Sequence, residues 1–341
     1  RFIPVPENHK ELINEHIDKL HKNGIIEEID FTDNITTNFV IVRKADGTWR
    51  VCNDSRSTNN VTKRNKNFII PRTTEVLQNL SGKQFYTSLD LNSSFFQIPI
   101  KESQRNLYTF ISPCGKKAYR YLRSPFGSSM ISSVFQSIMA LEVVKGINCT
   151  VYIDDVNLGT GTFNEHMIEL EKIFQRFSQY NLTLKPKKCT FMAPSCLVFG
   201  YTVDNKGYRP SQARVEALKE LKAPESKREL RGHIAKLAYF RNHIPNFSDR
   251  AATLYKLSGN NTVYKLTHEI EKQWSDLIKC LQKTILMNRP RFNGNFILST
   301  DASKKAIAGT LSEIQDKEER IIAVDSKVLT ETQRRWAISH L

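Results

Sequence analysis

The sequence lacks the features that mark several classes of protein. No stretch approaches the roughly eighteen consecutive apolar residues of a membrane-spanning helix, and the N-terminal residues do not form a signal peptide. Glycine and proline number only 14 and 12, which excludes collagen-like and low-complexity chains. The six cysteines include no CxxC pair, so the sequence predicts neither zinc nor disulfides and is typical of a reducing compartment.

What is present is a folded, basic chain that we expect to be soluble and cut from something longer. Its 341 residues suffice for two or three domains at roughly 150 residues each. Lysine and arginine outnumber acids by 50 to 35, which gives a net charge of +15. Such a field attracts polyanions, although a solvated basic surface explains the charge equally well.

The spacing of apolar residues predicts a mixed α/β chain. Helices are predicted over residues 9–20, 129–144, 164–180, 211–221, 226–240, 249–257 and 267–286. Strands are predicted over residues 39–42, 49–51, 85–91, 107–111, 118–122, 197–203 and 296–301, and a hairpin is predicted over residues 149–158. In the helix 164–180, the predicted core residues are Met167, Ile168, Leu170, Ile173, Phe174 and Phe177.

Acidic residues next to apolar strands form the strongest candidate site. Asp90 ends a short apolar strand, and Asp154 and Asp155 lie where a two-residue hairpin turn is predicted. Three carboxylates on neighbouring strand ends can hold two divalent cations about 3.5–4 Å apart. Most adjacent Asp pairs are turn or surface residues, because Asp favours turns. The apolar residues on both sides of this pair favour a site instead.

Further motifs lie in a characteristic order around these acids. They are Asp46-Gly47-Thr48-Trp49-Arg50, Leu89-Asp90-Leu91, Ser124-Pro125-Phe126-Gly127, Phe135-Gln136, Tyr152-Ile153-Asp154-Asp155 and Val198-Phe199-Gly200-Tyr201. Downstream follow Ala238-Tyr239-Phe240-Arg241, Ile244-Pro245-Asn246-Phe247-Ser248 and Thr300-Asp301-Ala302-Ser303. In this order the motifs resemble the reverse transcriptases of gypsy-type LTR retrotransposons and, more distantly, of retroviruses.

The resemblance implies a right-hand polymerase of the α/β (α+β) class, followed by a partial ribonuclease H-like domain. The implied domains are fingers 1–84 and 116–148, palm 85–115 and 149–207, thumb 208–262, connection 263–290 and ribonuclease H-like 291–341. The implied activity is RNA-directed DNA polymerisation, in which dNTPs are added to a primer 3′-OH on an RNA or DNA template.

The resemblance also implies roles for individual residues. The catalytic and metal-binding acids are Asp90, Asp154 and Asp155, with two Mg²⁺, or alternatively Mn²⁺, as the ions. The nucleotide-binding residues are Lys44, Arg50, Phe95, Phe126, Gly127 and Gln136, with Phe95 beside the sugar. The primer and template contacts are Tyr152, Phe199, Gly200 and Tyr201, and Lys188 is a candidate general acid.

Several of these assignments have simpler alternatives. Phe95 is equally explained as a core aromatic, and Val198–Tyr201 as a plain core strand. Lys44 and Arg50 fit a solvated basic turn. Lys185, Lys187 and Lys188 fit a basic surface near nucleic acid. The cations of the thumb helices fit either phosphate contacts or a solvated face: Arg228, Arg231, Lys236 and Arg241.

The sequence departs from the family pattern in places. Ser128–Ser133 replaces the usual Leu-x-Asn-Ala-Pro, which leaves the template-contacting loop open, and Ser55 stands where an aromatic residue is common. Asp301 supplies only one of about four acids that a ribonuclease H site needs, so we predict no ribonuclease H activity from this chain.

Two other readings of the whole chain remain. One is an inactive nucleic-acid-binding remnant of such a polymerase, and the other is a metal-dependent nuclease. The expected partners are template-primer and dNTPs, without a membrane. Protease and integrase portions of a polyprotein are expected by resemblance but are not seen in this chain. Cytoplasmic virus-like particles are likewise implied by the resemblance alone, since no targeting signal is visible.

Overall fold

The computed structural model describes residues 5–30, 37–43, 47, 49–63, 70–260 and 262–336. Lys44 therefore lies outside the described residues. The chain divides into two compact units. The first comprises Arg1–Pro71, Ser88–Leu158 and Met167–Cys189, and the second Arg72–Thr87, Gly159–His166 and Thr190–Leu341. In the part of the chain described, no helix is both long enough and apolar enough to span a membrane.

Helices and strands are interspersed up to about residue 210. Four α-helices then follow one another and precede the last three strands. They are α1 (Glu7–Lys22), α2 (Arg56–Val61), α3 (Thr73–Leu80), α4 (Ile131–Ile138), α5 (Phe163–Gln179), α6 (Gln212–Lys219), α7 (Lys227–Ala238), α8 (Phe247–Ser258) and α9 (His268–Lys279). A π-helical turn, Met139–Val143, continues α4, and a 3₁₀ turn, Cys280–Lys283, continues α9.

The strands form small sheets rather than one continuous sheet. They are β1 (Ile26–Ile29), β2 (Asn38–Arg43), β3 (Trp49–Asp54), β4 (Phe85–Asp90), β5 (Thr109–Ile111), β6 (Ala118–Tyr121), β7 (Cys149–Tyr152), β8 (Asp155–Thr160), β9 (Thr190–Ala193), β10 (Ser195–Val198), β11 (Tyr201–Asp204), β12 (Gly207–Pro210), β13 (Phe296–Ala302), β14 (Ala306–Gln315) and β15 (Glu318–Val328). The sheet orders are β1-β6-β5, β2-β3, β7-β8-β4-β9, β10-β11-β12 and β13-β14-β15.

The first unit contains two apolar clusters. In one, α1 buries Ile13, Ile17 and Leu20, which recur at helical spacing and pack with β1, β5 and β6. The other lies under α4 and α5 and includes Phe135 of α4 and Leu89 of β4. This second cluster supports the strand ends that carry the candidate acids.

The second unit contains the successive helices and two further sheets. The helix α7 begins at a Ser226 cap, whose hydroxyl accepts the backbone N–H of Glu229. The helix α7 packs on α8, and α8 contacts β14 and β15. The helices are therefore packed against the C-terminal sheet through α8. All of these elements belong to the same unit.

Most predicted elements are found, with three corrections. The predicted hairpin over residues 149–158 is confirmed as β7–β8. The predicted strand 197–203 is instead the hairpin β10–β11, so the plain-strand alternative is wrong. The predicted helix 267–286 ends earlier, because α9 stops at Lys279. In α5, Leu170, Ile173 and Phe177 are buried as predicted, but three predicted core residues are exposed, because the apolar positions extend beyond the stripe that packs inward: Met167, Ile168 and Phe174.

Candidate active site

Neighbouring strands β4 and β8 carry the candidate acids to one end of their sheet. Asp90 is the last residue of β4 and Asp155 the first of β8. The Ser88 hydroxyl donates to Asn157 Oδ1 at 2.7 Å, which fixes the strands in register near that end. The two carboxylates therefore begin from adjacent backbone positions, and Asp154 precedes Asp155 in the hairpin.

The β7–β8 turn differs by one position from the prediction. Tyr152 pairs with Asp155, so the turn residues are Ile153 and Asp154, and Asp155 belongs to the strand. Ile153 has φ 56°, a backbone region that β-branched residues rarely adopt. The prediction placed both acids in the turn because Asp is a favoured turn residue. In the structure, isoleucine occupies the first turn position, although it is not favoured there.

A buried amide side chain holds this strained turn. Gln136 of α4 is only 4% exposed. Its Nε2 donates to Val151 O at 3.1 Å, and its Oε1 accepts the Ile153 backbone N–H at 2.6 Å. Both polar atoms are thus committed to the hairpin. The sequence assigned Gln136 to the nucleotide, and the structure instead makes it a support of the acid-bearing turn, because a buried amide must satisfy its hydrogen bonds locally.

The acids interact electrostatically. Although Asp155 as a residue is exposed, desolvation of its carboxyl by the surrounding protein raises its pKa to about 6. The negative charges of Asp154 and Asp90 raise this pKa further. The structure thereby places the three predicted acids within electrostatic reach of one another.

Lys188 lies against the same acids. Its Nζ is 3.1 Å from Asp90 Oδ2, and its charge opposes the rise in the pKa of Asp155. The short 3₁₀ helix Pro186–Lys188 carries it, and the preceding Lys185 N–H donates to Asp90 O at 2.9 Å. The backbone of this segment is thus tied to the end of β4, which places the Lys188 ammonium beside the candidate site.

The donor set suits a hard divalent cation. Carboxylate oxygens are the ligands that such ions prefer, and mutual repulsion among acids is relieved by a bound cation. Among the residues that the structure describes, no three His, Cys, Asp or Glu side chains already converge as metal ligands. The Lys188 ammonium instead supplies a positive charge at Asp90.

The predicted nucleotide residues divide into buried and exposed positions. Phe95 is 9% exposed, and its ring centroid lies 5.0 Å from that of Phe126 and 5.8 Å from that of Phe135. Phe126 is 44% exposed and offers an accessible ring beside Phe95. Gly127 has φ 103°, and a Cβ there would lie 2.9 Å from Asn53 O, so this position requires glycine.

Arg50 lies on an exposed hairpin. It belongs to β3, pairs with Val42 of β2, and is exposed as the predicted basic hairpin requires. The structure confirms the two strands of that hairpin. The proximity of Arg50 to Lys44 stays a prediction.

In the second unit, the β10–β11 turn contains the predicted primer contacts. Phe199 and Gly200 both have positive φ, 54° and 80°. The Tyr201 hydroxyl donates to Tyr239 O at 3.0 Å, and the Tyr239 hydroxyl donates to Phe199 O at 3.0 Å. These reciprocal bonds fasten the turn to the end of α7. Sequence reasoning noted Tyr239 only as part of a motif and missed this contact.

Asp301 lies far from Asp90, Asp154 and Asp155 in the chain, and it belongs to a different unit. It lies on the exposed strand β13, opposite Ala308 of β14. The structure thus confirms the predicted strand that ends near this acid. Its role in a ribonuclease H site stays a prediction.

Two known families match this chain. The reverse transcriptase (RNA-dependent DNA polymerase) family matches residues 42–203. The RNase H-like domain found in reverse transcriptases matches residues 266–341. The chain thus contains a segment that matches the reverse transcriptase family and a segment that matches the RNase H-like domain.

The sequence relatives of this chain include polyproteins of transposons. The retrovirus-related Pol polyprotein from transposon 412 of Drosophila melanogaster is 27% identical over 98% of this chain and 28% of its own length. The transposon Tf2-7 polyprotein of Schizosaccharomyces pombe is 25% identical over 99% of this chain and 25% of its own length. The chain therefore spans about a quarter of these relatives. The gypsy subtype stays a prediction.

Solved structures confirm the fold. The foamy viral protease-reverse transcriptase in complex with dsDNA matches with a TM-score of 0.87 at 22% identity, over 100% of this chain and 70% of that one. The same viral protein in complex with an RNA/DNA hybrid matches with a TM-score of 0.85 at 23% identity, over 99% of this chain and 45% of that one. The predicted fold class, a reverse transcriptase fold with a ribonuclease H-like part, is correct.

Proposed function

We propose that this chain adds deoxynucleotides to a primer 3′-OH on an RNA or DNA template, with Asp90, Asp154 and Asp155 as its catalytic carboxylates. The observation that carries the proposal is the electrostatic coupling of these acids at the adjacent ends of β4 and β8. The family match gives the reaction class, because it covers the segment that holds all three acids.

The same acids are proposed to hold two Mg²⁺ ions, with Mn²⁺ as the alternative. When bound, these ions supply charge neutralisation at the phosphates and lower the pKa of the attacking hydroxyl. The oxygen donors fit such ions. Burial first, and then the charges of Asp154 and Asp90, raise the pKa of Asp155, so a bound cation would stabilise its charged form.

The protein residues around the acids are proposed to position the reacting groups. Gln136 fixes the turn that presents Asp154 and Asp155, so the carboxylates need little reorganisation. The Lys188 ammonium, beside Asp90, is suited to give a proton to the departing pyrophosphate. A basic surface that only attracts nucleic acid remains the alternative for Lys188.

The nucleotide and primer contacts are proposed from residues that the resemblance assigned, some exposed and some buried. Arg50 is suited to bind the triphosphate, because a guanidinium grips phosphate oxygens in pairs. Phe95, held in place by Phe126 and Phe135, is suited to lie beside the sugar and reject a ribose 2′-OH. The β10–β11 turn, from Phe199 to Tyr201, is suited to contact the primer.

The partners and context are proposed by analogy with the relatives. The foamy viral structures contain dsDNA and an RNA/DNA hybrid, which supports template-primer as the partner of this chain. The foamy viral protease-reverse transcriptase supports a neighbouring protease portion. An integrase portion and a cytoplasmic particle are proposed from the family resemblance of the sequence. No RNA cleavage is proposed for the ribonuclease H-like part, for which Asp301 is the one acid assigned.

Primer extension on an RNA template with dNTPs and Mg²⁺ tests the polymerase. We expect extension by the unsubstituted chain and a loss of at least about a hundredfold in the Asp154→Asn variant, equivalent to several kcal/mol of transition-state stabilisation. Asp276→Asn, an exposed acid of α9, is the matched control and should retain activity.

The same experiment separates the alternatives. Shortening of the labelled primer instead of extension would identify a nuclease. A folded chain that binds template-primer but neither extends nor cuts it would identify the inactive remnant. Either result would contradict the proposed polymerase.

A further inference from the structure

A cation-lined cleft lies in the second unit and shares no residue with the candidate active site. It has a volume of about 780 Å³, within the size range of ligand-binding pockets. Four chain segments line it: the end of α3 with the turn after it, the turn between β11 and β12, the loop that leads to β13, and the β14–β15 hairpin. These segments are far apart in sequence, so no local motif reveals the cleft.

The lining carries positive charge without acids. Among the residues that the structure describes, four cationic side chains contribute to it and no Asp or Glu does: Lys206, Arg289, Arg291 and Arg320. Two of them pair with acids outside the lining, Arg291 with Asp316 and Arg320 with Glu318. Lys206 and Arg289 have no ion-pair or side-chain hydrogen-bond partner among the described residues. The cleft therefore offers unneutralised charge to an anion.

A buried carboxylate shapes the loop that carries two of these arginines. Glu313 of β14 is fully buried, and its Oε2 accepts the Arg291 N–H at 2.8 Å. Its Oε1 accepts the Gly294 N–H at 3.3 Å. Burial alone would raise the pKa of Glu313, but the amide donors around it outweigh burial and lower that pKa. The loop that carries Arg289 and Arg291 thus surrounds the buried carboxylate of Glu313.

The other walls are held by backbone contacts. The Gly82 N–H donates to Asp204 O at 3.0 Å, which joins the first turn to the second. Tyr208 and Met287 exchange backbone hydrogen bonds of 2.9 and 3.0 Å. A Cβ at Gly207 would lie 2.0 Å from Met287 O, so only glycine permits this approach. The cleft is therefore a preformed feature of the unit.

Groups that recognise bases accompany the charges. Phe292 has φ 58° and is 79% exposed, so the loop that wraps Glu313 projects this ring outward. The side chains of Asn79 and Asn205 line the cleft and make no hydrogen bond among the described residues. Free amides read the edges of bases, and exposed aromatic rings stack on their faces.

We propose that this cleft binds a single-stranded segment of nucleic acid, with phosphates on Lys206 and Arg289 and a base stacked on Phe292. Paired bases engage their Watson–Crick edges with each other, whereas an unpaired base leaves those edges free for the amides of Asn79 and Asn205. The combination of cations and an exposed aromatic ring is the usual composition of single-strand sites. The ligand class is thus a short unpaired stretch of RNA or DNA.

Fluorescence anisotropy with a labelled oligouridylate of about eight nucleotides tests this proposal. Excess unlabelled duplex primer-template is present throughout, so that any polymerase cleft is occupied. We expect Lys206→Glu/Arg289→Glu to weaken binding by more than tenfold. The slope of log K against log salt should fall by about 1.4, since each lost phosphate contact removes about 0.7.

Two further variants sharpen the result. Phe292→Ala should weaken binding roughly tenfold and leave the salt slope unchanged, because stacking carries no charge. The matched control for net charge is Lys272→Glu/Arg334→Glu, two exposed cations outside the cleft, and it should bind like the unsubstituted chain.

A measurement without substitutions uses a 4-thiouridine oligonucleotide, which should photocrosslink to the peptide that contains Phe292. Equal binding by the cleft and control variants, or crosslinks confined to other peptides, would overturn the proposal. Displacement of the oligonucleotide by low concentrations of inorganic phosphate, with Phe292→Ala silent, would also overturn it, because the cleft would then be a simple anion site.

Discussion

Two hairpins carry predicted site residues, and they are stabilised in opposite ways. The β7–β8 turn has isoleucine at its positive-φ position and is held from inside by the buried amide of Gln136. The β10–β11 turn has glycine at one of its two positive-φ positions and is held from outside by Tyr239. The comparison shows that both turns use a tertiary contact, but the turn without glycine is held by a buried amide and the turn with glycine by a hydroxyl at the surface.

The largest effect should follow from removing the internal support. Gln136→Leu deletes both hydrogen bonds and leaves the Ile153 N–H and Val151 O unsatisfied, so we expect a loss of about 2–3 kcal/mol in the free energy of unfolding. Primer extension should fall at least tenfold in the folded protein. Urea unfolding and single-turnover extension measure the two effects.

The control for this change is Gln175→Leu, a surface glutamine of α5 that bonds only to Glu171. It should leave stability and extension unchanged within error. A Gln136→Leu chain as stable and active as this control would show that the turn holds itself.

The acids on the internally held turn should make stability depend on pH. The raised pKa of Asp155, about 6 against an ordinary 3.8, stabilises the metal-free fold below pH 4, and this contribution is lost as pH rises through 6. Asp155→Asn should therefore stabilise the metal-free chain at pH 8 by about 1 kcal/mol, since solvent screens an exposed carboxylate.

Thermal melting in EDTA between pH 4 and pH 8 measures this difference, which should shrink towards pH 4. Asp276→Asn on α9 should show no such trend. A destabilised Asp155→Asn chain at pH 8 would contradict the assignment of the raised pKa.

Removing the external support should have a smaller effect. Tyr239→Phe deletes one hydrogen bond at the surface, so we expect a loss of about 1 kcal/mol. In primer extension, KM for template-primer should rise with little change in kcat. Tyr255→Phe of α8 is the control, because the Tyr255 hydroxyl makes no hydrogen bond to the turn among the described residues, and it should change neither value.

The smallest effect should come from the strained residue itself. Ile153→Ala loses packing and keeps the positive φ, whereas Ile153→Gly loses the same packing and relieves the strain. We expect the glycine variant to be more stable than the alanine variant by about 1 kcal/mol. Equal stability of the two, measured by urea unfolding, would show that the turn relaxes without cost.

The sequence revealed the acids but not their supports. Asp90 and the Asp154-Asp155 pair stood out because apolar strands rarely contain acids, and β4, β7 and β8 are indeed found there. The turn register was missed because isoleucine at positive φ contradicts local preference. Gln136 was misread because a glutamine on a helix gives no sign of burial until the hairpin is placed beside it.

Other features needed the three-dimensional structure for a different reason. Met167 and Phe174 follow the helical period of α5 as well as the buried residues do, so periodicity alone could not separate them. The cation-lined cleft joins turns near residues 80, 206 and 290, and only tertiary contacts bring Lys206 and Arg289 to one lining. Prediction from sequence was strongest where function and local pattern coincide.

The paired tyrosines at the β10–β11 turn also act as a clasp that is insensitive to redox conditions. One of their two hydrogen bonds joins residues that are 38 positions apart in the chain, and the other joins residues that are 40 positions apart. Each bond closes a loop, as a disulfide would, whereas all six cysteines are free thiols. Each bond contributes only about 1 kcal/mol, so thermal fluctuations open it readily. The clasp therefore forms under reducing conditions and can release and re-form without any chemical step.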